Sequence, residues 1–161
     1  MYQCSYLVLR NTAMGDVVKR LRTLKMVLVD DDPACTQMWS KVFEADGHTV
    51  VRCHDLPSAC RAIAEGCDCF ITDLGMRDFS GLDLIRAANH PAGPVMILLT
   101  GETAPDLRAQ AMDAGASCVF QKGVETTLLV STVEALCGAV YQPVTRYSTG
   151  EFSTQALRSA M

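Results

Sequence analysis

Five short apolar runs, each followed by a helical pattern, fill residues 26–140 and leave this chain few possible folds. The runs at 26–29, 49–53, 69–72, 95–99 and 118–121 are too short for helices. They are rich in Val, Ile and Leu, as buried strands are. The patterns at 34–45, 56–65, 81–88, 105–114 and 125–140 predict the helices between and after them. Pro33 sits where a first helical turn tolerates it, and Gly47, Gly66 and Gly115 stand where helices stop. Met38, Val42 and Ala45 are expected to share the buried face of the first helix. Strands without polar alternation have both sheet faces covered, which points to a doubly wound α/β domain with a parallel sheet. Right-handed crossovers then leave a handful of topologies.

The ends break this pattern. Residues 1–24 are expected to form an N-terminal extension, either frayed or with a short helix that sets Val17, Leu21 and Leu24 on one face. Residues 25–140 make the domain, and the Ser- and Thr-rich stretch 141–161 reads as a flexible tail. A length of 161 residues suits one domain, and 49% hydrophobic residues are ample for its core. The formal net charge of −4 speaks against a nucleic-acid binder, and the basic run Lys19, Arg20, Arg22 and Lys25 is expected to be a solvated face. Residues 1–10 lack the basic and apolar blocks of a secretion signal, and no apolar stretch approaches the roughly 18 residues of a membrane span. Of the eight cysteines, six fall inside apolar segments, and Cys67 and Cys69 stand too close together for a zinc knuckle. Reduced thiols and a cytoplasmic location are the expectation.

Open parallel sheets bind ligands outside the carboxyl ends of their strands. Here Asp30 and Asp31 follow the first strand, Asp73 the third, Thr100 the fourth and Lys122 the fifth. Each alone has an ordinary explanation as a cap, a turn residue or a solvated charge. Their joint placement on one edge is the argument. Clustered carboxylates repel, so one takes up a proton unless a cation intervenes. A hard dication with oxygen ligands, Mg²⁺ or Mn²⁺, resolves the conflict. A carboxylate can then attack phosphorus, while Lys122 and the Thr100 hydroxyl share the charge on the transferred group.

Four stretches carry a family resemblance: Val27-Leu-Val-Asp-Asp-Asp-Pro33, Phe70-Ile-Thr-Asp73-Leu-Gly-Met76 with Gly81-Leu-Asp-Leu-Ile85, Ile97-Leu-Leu-Thr100-Gly101, and Gly115-Ala116 before Lys122. Over residues 25–140 the chain resembles the receiver domains of two-component response regulators. The resemblance implies a flavodoxin-like (βα)5 fold with strand order 2-1-3-4-5. It implies Asp73 as phosphoacceptor, with the metal held by Asp30, Asp31, Asp73 and the Gly75 carbonyl. Thr100 and Lys122 then bind the phosphoryl group, and Asp32 caps the first helix. The implied partners are a sensor histidine kinase or histidine phosphotransfer protein upstream and a protein partner downstream, with no nucleic acid and no membrane. The 21 residues beyond Val140 are too few for an independent output domain, so output through a docked protein or a phosphorelay is expected.

Three positions depart from the family pattern. Arg77 stands where Pro is common, and Gly123 follows Lys122 where a cis-proline is usual, so a trans bond is expected. Val119 occupies the place of a switching aromatic, and Phe120 beside it must face the other way. Two alternatives stand against the leading one. The first is a haloacid-dehalogenase-like phosphatase using Asp30, which leaves Asp73 without a task. The second is a degenerate receiver that takes no phosphate.

Overall fold

The computed structural model describes residues 6–9, 17–20 and 22–139. Two short strands come first, β1 (Tyr6–Leu9) and β2 (Val17–Arg20), paired antiparallel with Tyr6 opposite Arg20. The helix considered for residues 17–24 does not form. The β-branched pair Val17-Val18 favours extended backbone, and a strand partner is at hand. Leu21 and residues 140–161 lie outside the described residues.

The domain then alternates strand and helix: β3 (Lys25–Val29), α1 (Pro33–Ala45), β4 (Thr49–Cys53), α2 (Leu56–Ala64), β5 (Cys69–Thr72), α3 (Gly81–Ala88), β6 (Val95–Thr100), α4 (Leu107–Ala114), β7 (Cys118–Gln121) and α5 (Thr126–Leu136). The five strands pair in parallel in the order β4-β3-β5-β6-β7, which is 2-1-3-4-5 counted within this sheet. Alternate residues feed two cores. Val27, Val29, Phe70, Met96 and Leu98 face α2, α3 and α4. Met26, Leu28, Cys69, Ile71, Ile97 and Leu99 face α1 and α5. Val119 and Phe120 pack on opposite cores, as strand alternation requires.

The buried face of α1 differs from the expected one. Thr36, Trp39, Ser40 and Phe43 are buried and Val42 packs half-buried against the same core as expected, while Met38 is 52% exposed and Ala45 is exposed. Trp39 and Phe43, four residues apart, outweigh the smaller apolar set because they remove far more surface from water. Asp32 accepts the Ala34 N–H at 2.8 Å and caps α1 as expected, and Asp55 and Ser80 do the same for α2 and α3. Helix α4 starts at Leu107, and α5 ends at Leu136, where Cys137 caps it and Gly138 takes φ +68°. Seven described cysteines are free thiols.

Candidate phosphoacceptor site

Strand register brings the acidic residues together. Val29 pairs with Thr72, so Asp30 and Asp73 leave adjacent strands side by side, and the Asp73 N–H bonds the Val29 carbonyl at 2.9 Å. The Asp30 N–H bonds the Cys53 carbonyl at 3.2 Å, which anchors the same turn to β4. Oxygens of Asp30, Asp31 and Asp73 all lie within 4.8 Å of one another. At that spacing two carboxylate charges repel by about 3.5 kcal/mol at an effective dielectric of about 20.

Lys122 enters from the end of β7, with its backbone N–H on the Thr100 carbonyl at 2.7 Å. Its Nζ lies 3.0 Å from Asp30 Oδ2 and 3.2 Å from Asp73 Oδ1. One ammonium thus serves two of three carboxylates. Burial pushes the Asp73 carboxyl above its usual range, and the Lys122 ammonium only partly offsets this, with Asp30 adding to the rise. Burial alone would draw the Lys122 ammonium down, but Asp30 and Asp73 together hold it above the ordinary lysine range.

The three acids have different surroundings. Asp30 is tied on both oxygens, Oδ1 by the Asp32 N–H at 2.9 Å and Oδ2 by Lys122. Its backbone carbonyl lies 2.9 Å from His54 Nδ1. Asp31, at the rim, meets Arg77 Nε at 3.3 Å, and that arginine is 81% exposed. A cleft lined by Asp31, His54, Asp55, Met76, Arg77 and Phe79 opens beside the cluster. Thr100 is buried, and its hydroxyl accepts the Glu102 N–H at 3.0 Å, which leaves the hydroxyl proton to donate. Gly75 is exposed and bridges to Ser80. The Lys122–Gly123 bond is trans, and Gly123 takes φ +98° in the loop that follows.

The donor set fits a divalent cation. Three ionised carboxylates against the Lys122 ammonium and the rim guanidinium of Arg77 leave one surplus negative charge, and hard oxygen donors suit Mg²⁺ or Mn²⁺. Asp30, Asp31 and Asp73 are the side chains that would hold it. When bound, such an ion neutralises charge on phosphoryl oxygens.

Sequence reasoning misses two neighbours. His54 directly follows β4, so the strand-end rule reaches it too. Gly81 makes a contact that no motif reveals: a Cβ there would lie 2.0 Å from the Asp73 carbonyl oxygen.

A family model for the response regulator receiver domain matches residues 26–134. Among curated proteins, the transcriptional regulatory protein CpxR of Escherichia coli is 26% identical over 112 residues, 70% of this chain and 48% of CpxR. The chain thus spans about half the length of such relatives. A response regulator receiver domain protein from Clostridium thermocellum superposes with a TM-score of 0.66 at 26% identity, over 71% of this chain and 94% of that one. A response regulator from Burkholderia pseudomallei, with a phosphorylated aspartic acid and a calcium ion, superposes at 0.63 with 21% identity, over 71% of this chain and 68% of that one. The phosphatase alternative falls away, since the family matched is that of receivers, which are phosphoacceptor signalling domains rather than enzymes. Among the described residues no helix is long and apolar enough to cross a membrane. From its five-stranded parallel sheet, its acidic cluster and the family match over residues 26–134, the chain belongs to the response regulator receiver domain family.

Proposed function

We propose that Asp73 accepts a phosphoryl group from a sensor histidine kinase or a histidine phosphotransfer protein. An Asp73 carboxylate oxygen forms the O–P bond as the P–N bond of phosphohistidine breaks, and the leaving imidazole takes up a proton. Lys122 and the Thr100 hydroxyl hold phosphoryl oxygens, and Asp30, Asp31, Asp73 and the Gly75 carbonyl would hold Mg²⁺ or Mn²⁺, which would neutralise phosphoryl charge. The observation that carries this reading is Lys122 Nζ bridging Asp30 and Asp73 inside a three-carboxylate cluster. Residues 25–140 act as the receiver unit, in the cytoplasm. The signal leaves through a docked protein or an onward phosphorelay.

Acetyl phosphate with Mg²⁺ tests the reading on the intact chain. The wild type should gain one phosphoryl group, EDTA should prevent it, and Asp73→Asn should not be labelled. No labelling of the wild type under any divalent cation would favour the degenerate receiver.

A further inference from the structure

At the end of the sheet away from Asp73, two thiols meet. Cys69 opens β5 and is fully buried, whereas Cys137 caps α5 and is partly exposed. The last turn of α5 brings Cys137 Sγ to 3.8 Å from the Asp68 carbonyl, on the residue just before Cys69. Both thiols are packed in the core between the sheet and α5, Cys69 inside it and Cys137 against its edge. Sixty-eight residues separate them in sequence, so only the fold brings them together.

We propose that Cys69 and Cys137 are a redox-active pair that closes to a reversible disulfide when a peroxide oxidises Cys137. The peroxide O–O bond breaks as the Cys137 thiolate sulfur takes one oxygen, giving a sulfenic acid and releasing water or an alcohol. The Cys69 sulfur then attacks the Cys137 sulfur, the S–S bond forms, and the sulfenic oxygen leaves as a second water with the Cys69 proton. Two thiols are oxidised by two electrons, and one peroxide is reduced.

The roles follow from the surroundings. The Cys69 S–H bond holds the Cys137 thiol below its usual range, with Arg22 helping against burial and Asp68. The same bond, together with complete burial, pushes Cys69 well up. Cys137 is therefore the half-exposed, thiolate-prone partner, and Cys69 the sheltered one that resolves. Burial raises Cys35, Cys53 and Cys67, the last to about 11, which makes them poor competitors. In a reducing compartment such a bond is transient and serves to sense oxidant. Closed, it pins the end of α5 to the strand whose far end carries Asp73.

The test uses the reduced, full-length chain treated with hydrogen peroxide and digested without reductant. Peptides containing Cys69 and Cys137 should be joined, two hydrogens lighter than the free pair, and dithiothreitol should separate them. Cys137→Ser should abolish the link. Cys69→Ala should also abolish it and leave a Cys137 sulfenic acid that dimedone captures. If the buried alanine prevents folding, Cys69→Val supplies the same arm. The exposed thiol of Cys60 is the internal control for oxidant dose. Absence of the Cys69–Cys137 link at doses that oxidise Cys60 would overturn the proposal, as would Cys137 joining Cys67 instead.

Discussion

Replacing Gly81 by alanine should disturb Asp73 through backbone alone. An alanine Cβ there would sit 2.0 Å from the Asp73 carbonyl oxygen, 2.9 Å from its carbon and 3.1 Å from Thr72 Oγ1. Ordinary contact begins at 3.4 Å, so helix α3 and the Asp73 turn must part by about 1.4 Å. The obstacle is rigid main chain, so no side-chain rotation relieves it. Two effects oppose each other. Alanine favours a helix by about 1 kcal/mol over glycine. Overpacking against backbone costs about 1–3 kcal/mol, and loss of the 2.9 Å bond from Gly81 N–H to the Leu74 carbonyl adds about 1 kcal/mol. Clash and lost bond win, and Gly81→Ala should be destabilised by about 2 kcal/mol. Urea unfolding measures this as a lower midpoint at unchanged slope. Gly75→Ala is the control: its Cβ would meet nothing within 4 Å, and its stability should stay within about 0.5 kcal/mol of wild type. A Gly81→Ala protein as stable as the wild type would refute the close approach.

Four further perturbations have defined outcomes. Arg77→Ala frees Asp31 from an exposed ion pair worth about 0.2–1 kcal/mol, so Mg²⁺ should bind up to about fivefold tighter; Trp39 lines the same cavity as Asp30 and Asp73, and its fluorescence can follow the titration. Gly75→Asn supplies an amide able to orient water, and decay of the phosphorylated form should quicken by up to about tenfold, which is 1.4 kcal/mol in the barrier; unchanged decay would remove this position from the hydrolysis path. Phe43→Ala empties a fully buried site and should cost about 3–5 kcal/mol in denaturant unfolding. The Ser58 backbone N–H, then the Ser58 hydroxyl, hold the Asp55 carboxyl below its usual range. Its contribution to stability is therefore full above the ordinary aspartate pKa and is lost as pH falls through the lowered one; in thermal unfolding across acidic pH, Asp55→Asn should show a flatter profile than wild type.

The sheet was legible because β3, β5 and β6 are mostly apolar, buried runs, and β4, β5 and β7 run as expected to the residue, even though β4 carries the exposed Arg52. Position at strand ends was enough to bring Asp30, Asp31, Asp73 and Lys122 together, although 92 residues separate Asp30 from Lys122. What stayed hidden depends on partners rather than on pattern. The face of α1 was misread because Met38 is apolar yet exposed, and the bulk of Trp39 and Phe43 sets the rotation of the helix. Residues 17–20 form a strand because a partner lies at residues 6–9, and such pairing leaves no periodic signal in four residues. Gly81 matters through the space beside the Asp73 carbonyl, and Cys69 through a thiol arriving from the end of α5.

The central claim is that Asp73 carries the phosphoryl group. An acyl phosphate is reduced by borohydride to the corresponding alcohol, which marks the modified aspartate as homoserine. The intact chain, phosphorylated with acetyl phosphate and Mg²⁺, reduced and sequenced by mass spectrometry, should carry homoserine at position 73 and aspartate at Asp30 and Asp31. Homoserine at position 30 or 31, with Asp73 unchanged, would contradict the account.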